Sequence, residues 1–312
     1  ERCNGLLPAS GDRHYKRGWY VPVREYKNDR HHHKVVAPIM EGNLNVRWVV
    51  QSNLLSENDI DNIGSACEKC GAYFEPVNVV PFSEELPPFT VDDKVNIYYG
   101  STTFIERIDQ AMEFPKGVFF CSTAFQMDNY IAKWGFHMLN AEAKVTTLKD
   151  CELLGLSEGE HFVRPVADDK SFAGEVMLRE ELLEWAERVR LNAESEIKHG
   201  NVPSLNVDTP ILVGPAYRVE KEWRNFIVDG KVISSTLYRK DHKLHKVREA
   251  PQEMLDFVHA RCEEYVPHKI FVMDIALCGN SYYIIECGCL NSAGFYAADV
   301  DENVKVVSQE VK

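Results

Sequence analysis

A mixed α/β (α+β) chain is predicted from three observations. Strand–turn–helix units repeat from Val46 to Trp134, which implies a mostly parallel sheet with helices packed on it. Two alternating apolar stretches then fold back at Asp229-Gly230 and Gly279-Asn280, pairs that tolerate the positive φ of a two-residue hairpin. Both arms of the second hairpin carry a carboxylate inside an apolar run, Asp274 and Glu286. The expected division is an irregular basic segment over 1–39, an N-terminal α/β domain over 40–150 and an antiparallel-sheet domain over 151–312.

Composition bounds the function before any motif does. At 312 residues the chain is long enough for a full core, and 45% hydrophobic with 27% charged residues is ordinary for a globular protein. No apolar run approaches the length of a membrane span and the N-terminus has no basic-then-apolar leader pattern, so a soluble, cytoplasmic protein without a membrane partner is expected. A net charge of −13 argues against a general nucleic-acid binder while leaving room for a local positive pocket. The charge is uneven, with eight Lys or Arg and only four Asp or Glu in residues 1–39, against 35 and 48 in the whole chain. That segment lacks helical and strand periodicity, and its His31-His32-His33 run, with no further ligands at a defined spacing, reads as solvated. The nine cysteines are odd in number and mostly sit in apolar runs, which favours reduced thiols, and Cys67-x-x-Cys70 reads as helix-end packing rather than half a zinc site.

In chain order, Arg47–Gln51 reads as a buried strand, and Ser56 caps a helix that runs to about Cys70 and stops at Gly71. Strands follow over Tyr73–Val80, Asn96–Tyr99 and Gly117–Cys121, with helices over Phe104–Met112 and Phe125–Trp134. Parallel sheets bind ligands beyond the carboxyl ends of their strands, so Tyr99-Gly100-Ser101-Thr102 is a candidate substrate-side loop. The pattern loosens over 136–150. A strand from His161 carries Arg164, a loop with Lys170 follows, and a second strand covers Phe172–Leu178. Arg179–Leu191 is an amphipathic helix, and Thr209–Gly214 is an apolar strand. Val219–Arg239 forms the first tight hairpin, Asp241–Arg248 a basic connection, Glu249–Val266 a helix closed by Pro267, and the tail after Tyr296 a short terminal helix.

The chemistry concentrates in Lys269–Tyr296. An ionised carboxylate inside an apolar strand is costly unless a cation or hydrogen bonds neutralise it, so two on neighbouring strands suggest a shared metal, with structural Arg or Lys pairs as the alternative. Asn291 adds an amide oxygen just past the second strand, and such hard oxygen ligands suit Mg²⁺ completed by phosphates and water. Arg224 and Arg239 lie toward the open end of the first hairpin. Two guanidinium groups held close repel unless an anion such as phosphate or a substrate carboxylate lies between them, the alternative being pairs with Glu220 and Glu222.

Asp274, Glu286 and Asn291 in this order resemble the metal-binding end of the ATP-grasp superfamily, ATP-dependent carboxylate–amine ligases. The segment Glu286-Cys-Gly-Cys-Leu-Asn291-Ser-Ala-Gly-Phe-Tyr296 and the Glu222-Trp-Arg224 and Tyr238-Arg239 pairs are similar to its R-two-K branch, known from phages and bacteria. Most members place the Asn two residues after the Glu, where this chain has Gly288. The resemblance implies an ATP-grasp fold over roughly 46–300, with Mg²⁺ on Asp274, Glu286 and Asn291. ATP would meet Arg164, Lys170, Glu222 and Arg224, with Lys144 or Lys149 on the α-phosphate and the main chain of Leu212 and Val213 on adenine. Arg224, Arg239 and Lys170 would neutralise the transferring phosphoryl group, and the substrates would be a small-molecule or peptide carboxylate and an amine. Two rivals remain at this level: a kinase that stops at phosphoryl transfer, and a catalytically reduced binding protein acting on a partner or host protein.

Overall fold

The computed structural model describes residues 44–80, 83, 85–111, 116–121, 123–166, 172–199 and 205–312. The expectations placed on 1–39 and on Lys170 lie outside the described residues. The first sheet is parallel, ordered β2-β1-β3, from β1 (Val46–Gln51), β2 (Tyr73–Val77) and β3 (Val95–Tyr99). Helix α1 (Glu57–Cys70) connects β1 to β2, as a parallel pair requires. Its limits are those its residues dictate: the Ser56 hydroxyl accepts from the Asp59 N–H, and Gly71 ends it at φ 75°. Helices α2 (Thr102–Ala111) and α3 (Met127–Trp134) follow.

Gly117–Cys121 is not a strand. Only Gly117 bridges to Ile97 of β3, and the backbone approaches so closely that a Cβ on Gly117 would lie 1.8 Å from the Asn96 carbonyl oxygen. Beyond that point the pairing is taken over by the side chain of Asn291, described below.

The second sheet is antiparallel, ordered β4-β7-β5-β6, from β4 (Lys144–Thr147), β5 (Glu160–Pro165), β6 (Glu175–Leu178) and β7 (Pro210–Pro215). The boundary read at 150 falls after β4 has already entered this sheet. Helix α4 (Arg179–Lys198) runs longer than its apolar stripe suggests and buries Leu182 and Val189 with Val163, Ile211 and Val213.

The third sheet, β10-β9-β8-β11-β12, is also antiparallel. It comprises β8 (Lys221–Val228), β9 (Lys231–Lys240), β10 (Lys243–Val247), β11 (Ile270–Cys278) and β12 (Ser281–Gly288), with α5 (Gln252–Glu264) carrying the chain from β10 to β11. The turns follow their sequences: Asp229 and Gly230 both take positive φ, 51° and 73°, and Gly279 takes 60°. The basic connection 241–248 is instead an edge strand. Asp241 and His242, at φ 47° and 62°, turn the chain back, and the side chains of β10 are almost all exposed, as on a polar edge.

Strand β11 is buried on both faces. Phe271, Met273 and Ile275 join a core with α2, α3 and α5, while Ile270 and Val272 join one with β1, α1 and α6 (Val300–Glu310). The parallel sheet therefore shares its core with the third sheet. Polar contacts fasten the same seam: Trp48 Nε1 donates to Ser308 Oγ at 2.9 Å, and Lys69 pairs with Asp301 at 2.7 Å. Among the described residues, eight cysteines are unbridged, and no helix is long and apolar enough to cross a membrane.

His268 stands at the entry to β11, its ring beside Phe119 and Phe125 and its Nδ1 against the Ile270 main chain. Burial lowers its pKa, against a smaller opposing effect of the Ile270 hydrogen bond. A histidine whose pKa falls on folding contributes stability that is complete above its unfolded value of about 6.5 and is lost as pH falls through the folded value. Thermal unfolding of the wild type is therefore expected to lose ground to His268→Phe as pH drops below about 6.5; parallel pH profiles of the two proteins would contradict it.

Candidate functional site

Three side chains form one row across the third sheet. Arg224 of β8 is in register with Asp274 of β11, and Asp274 with Glu286 of β12. Residues directly opposed in an antiparallel pair share a face, so the guanidinium and both carboxylates project together. A bulge between Asp274 and Ile275 leaves Ile285 of β12 without an opposite, and it is this extra residue that sets Glu286 beside Asp274. A second bulge, between Glu222 and Trp223, makes Tyr238 the surplus residue of β9, and its hydroxyl reaches both Glu222 Oε2 (2.8 Å) and Asp274 Oδ2 (3.2 Å). The sequence reading missed both bulges, and with them Tyr238 as a site residue; bulges commonly re-aim side chains beside active sites.

Each acid has a guanidinium partner. Asp274, 2% exposed, is gripped bidentately by Arg224, Nε to Oδ1 at 2.9 Å and Nη2 to Oδ2 at 2.8 Å. Glu286 meets Arg164 of β5 at 2.7 Å, a bridge from the second sheet to the third. Glu222 pairs with Arg239 at 3.1 Å, its register partner across β8–β9. Arg224 and Arg239 therefore do not face one another: the alternative pairing holds for Arg239 with Glu222, and Arg224 turns to Asp274.

Burial is the largest influence on Asp274, Arg224, Tyr238 and Arg239. It pushes the Asp274 carboxyl up, with the Glu286 charge adding to the rise and Arg224 opposing it. Burial alone would lower Arg224, but the Asp274 charge and hydrogen bond outweigh it and hold the guanidinium well above its ordinary value. Burial, then the charges of Asp274 and Glu222, push Tyr238 far up. Its one proton serves only one of two carboxylates at a time, so the cluster retains acceptor capacity that its own donors leave unmet. A cavity of about 50 Å³ opens on Arg224, Asp274, Glu286, Gly288 and Ser292. Its carboxylate oxygens suit a hard cation, and its volume exceeds the roughly 10–15 Å³ that one water requires. Among the described residues no group of three or more His, Cys, Asp or Glu is placed to hold a metal ion by itself.

Asn291 lies elsewhere. Fully buried, it donates through Nδ2 to the Tyr98 and Gly117 carbonyls (2.6 and 2.8 Å), while Oδ1 accepts from the Phe119 N–H (2.7 Å) and the Cys289 thiol (3.1 Å). Its amide thus replaces strand pairing between β3 and 117–119. The Asn291 carbonyl also accepts from the Gly100 N–H at 2.9 Å, so the candidate loop 99–102 abuts this seam. With Oδ1 committed to two donors, Asn291 does not join Asp274 and Glu286; Gly288 and Ser292 border the cavity instead.

The remaining candidates are dispersed. Lys144 is exposed on the edge strand β4, and Lys149 is paired with Asp208 at 2.5 Å. Leu212 and Val213 are buried on β7, an interior strand whose register partners are Val145 and Lys144 on one side and Arg164 and Val163 on the other. The peptide groups of Leu212 and Val213 thus lie inside a ladder paired on both sides.

A parallel N-terminal sheet beside two antiparallel sheets, with arginines and carboxylates converging between the latter two, is a fold shared with solved ATP-grasp ligases. The chain belongs to the ATP-grasp domain R2K clade, family 2, which matches residues 142–306. No curated protein sequence matches it. Among solved structures it is similar to the D-cycloserine synthetase DcsG, at 12% identity and TM-score 0.54 over 86% of this chain and 99% of that one. The ATP-grasp ligase PsnB, complexed with a phosphomimetic precursor variant, Mg and ADP, aligns at 12% identity and TM-score 0.51 over 88% and 100%. A RimK domain ATP-grasp protein from Sphaerobacter thermophilus aligns at 8% identity and TM-score 0.50 over 85% and 99%. At these identities the likeness is one of fold.

Two stability effects are expected. Arg224→Gln strands the buried Asp274 and should cost about 3–5 kcal/mol, with the further Asp274→Asn change recovering part of it in denaturant titrations. Asn291→Ala leaves the Phe119 N–H and two carbonyls without partners and should cost about 2–4 kcal/mol while leaving nucleotide affinity within about twofold; a large loss of nucleotide or Mg²⁺ affinity without loss of stability would return Asn291 to the ligand set.

Proposed function

We propose that the protein is an ATP- and Mg²⁺-dependent ligase that joins a carboxylate to an amine through an acyl-phosphate. The observation that carries this reading is the row of Arg224, Asp274 and Glu286 on one face, closed from the second sheet by Arg164. Asp274 and Glu286 would hold Mg²⁺, which when bound neutralises phosphate oxygens. Arg164, Arg224 and Arg239, now paired with acids, would turn to the phosphates, as planar forks suited to them. Lys170 keeps its expected role on the triphosphate. Lys144 is a weaker candidate, standing on an exposed edge. Adenine would meet the connection 216–219 between the second and third sheets, which takes no part in strand pairing.

In the reaction a carboxylate oxygen of the substrate attacks the γ-phosphorus and ADP leaves. The amine nitrogen then attacks the acyl carbon, phosphate departs and the amine gives up a proton, yielding an amide. Such chemistry requires positioning and charge neutralisation rather than a covalent enzyme nucleophile, and the cluster consists of acids, arginines and one phenol. Tyr238 would keep Glu222 and Asp274 oriented by sharing its single proton between them.

The test is incubation with Mg²⁺-ATP and pooled amino acids and peptides, with the nucleotide read by chromatography and the product by mass spectrometry. ADP and an amide should appear together, only when carboxylate and amine are both present, and Glu286→Gln should lower the rate on the order of 10²–10³-fold. ADP without any amine requirement would make the protein a kinase. No ADP under any pool would move the reading to a partner-binding protein.

A further inference from the structure

A second and larger cavity, about 540 Å³, lies between α1, the end of β10 and the chain from Tyr296 into α6. Its size falls within the roughly 300–1,000 Å³ usual for small-ligand pockets. Three cations line it: Lys69, Lys246 and Arg248. Two have acids of their own, Lys69 with Asp301 at 2.7 Å and Arg248 with Asp299 at 3.1 Å. Arg248 is fixed further by its Nε on the Ala297 carbonyl at 2.9 Å. Lys246 differs. Its ammonium has the Tyr296 ring at 5.6 Å and no acidic partner among the described residues, so the lining carries one uncompensated positive charge in a protein whose net charge is −13.

Tyr296 ties this cavity to the acid–arginine cluster. The ring stacks on Tyr238 at 5.0 Å and 9°, and the Arg224 guanidinium carbon lies 5.3 Å from its centre. One ring thus separates Lys246 from Arg224. The residue holds it there at φ 52°, a left-handed conformation uncommon for a bulky side chain and found where the surroundings enforce it, often at binding sites.

We infer that this cavity receives the carboxylate substrate and that Lys246 binds a second anionic group on it, so that the preferred substrate is a diacid such as an acidic peptide. One carboxylate passes Tyr296 to the acid–arginine cluster, beside the phosphates that Arg224 would hold; the other remains on Lys246 as a charge-assisted hydrogen bond. The fate of the first carboxylate rests on the ligase reading, whereas the recognition of the second does not.

The experiment uses two probe pools with the full chain: N-acetylated dipeptides carrying two free carboxylates, and the same dipeptides with one carboxylate amidated. Ligand-observed NMR gives their affinities, and a fluorescent ATP analogue is titrated separately. The diacids should bind about tenfold more tightly than the monoacids, and Lys246→Gln should abolish that difference while Lys246→Arg restores it. Lys246 is exposed, so the fold should survive, and unchanged affinity for the ATP analogue in each variant controls for it. Equal binding of the two pools, a preference that persists in Lys246→Gln, or binding of neither pool at millimolar concentration overturns the inference. No ADP formation from Mg²⁺-ATP with these diacids and an amine, the diacid preference being intact, would overturn the ligase reading and leave the cavity assignment standing.

Discussion

The site depends on one constraint, that Asp274 sits in the middle of a strand buried on both faces. A carboxylate there is tolerable only with a cation at hand, and the register of β8 against β11 places Arg224 opposite it. The neighbouring positions repeat the solution, Arg239 for Glu222 and Arg164 for Glu286. Three acids and three guanidinium groups form a cluster close to neutral. On the ligase reading a nucleotide and its metal would give each group a new partner: acids would pass from arginine to metal and arginines from acid to phosphate. Such an exchange leaves no buried charge unpaired at either end, which is the condition under which a low-dielectric site can exist both empty and filled.

The third sheet does not hold the metal-end loop alone. After β12 the chain crosses to the parallel sheet, where Asn291 substitutes for strand pairing and Tyr99 donates its hydroxyl to the Ala293 carbonyl at 2.7 Å. Phe295 is stacked between Tyr99 at 5.0 Å and Phe226 at 5.3 Å. Ser292 and Ala293, which border the small cavity, are thereby positioned by the N-terminal unit. Displacement of the amide residue from 288 to 291 fits this arrangement: Gly288 leaves space beside the carboxylates, and the amide serves the seam between sheets.

Much of this was legible in the residues. Ser56, Gly71, Asp229-Gly230 and Gly279 act locally, and each ended or turned its element where its chemistry requires. The acids of the second hairpin were legible because a charge in an apolar run demands a partner. What escaped depended on contacts distant in sequence. Gly117–Cys121 has a strand's composition, but a side chain from 291 occupies its edge. The bulges at Ile285 and Tyr238 arise from sheet curvature and register, with no Gly or Pro to mark them. Leu212 and Val213 were placed on the correct strand, but nothing local distinguishes an interior strand from an edge one. For β10, six polar or charged residues among the eight from 241 to 248 concealed a strand whose exposed edge needs no apolar face.

Tyr296 shows how a strained backbone can separate two ligand regions while keeping them in communication. At φ 52° its ring faces Tyr238, with Arg224 and Lys246 at 5.3 and 5.6 Å from its centre. The ring stacks on Tyr238, whose hydroxyl is itself bound to Glu222 and Asp274. The acid–arginine cluster and the cationic cavity thus share a wall made of two rings in contact, Tyr238 turned to the acids and Tyr296 to Lys246.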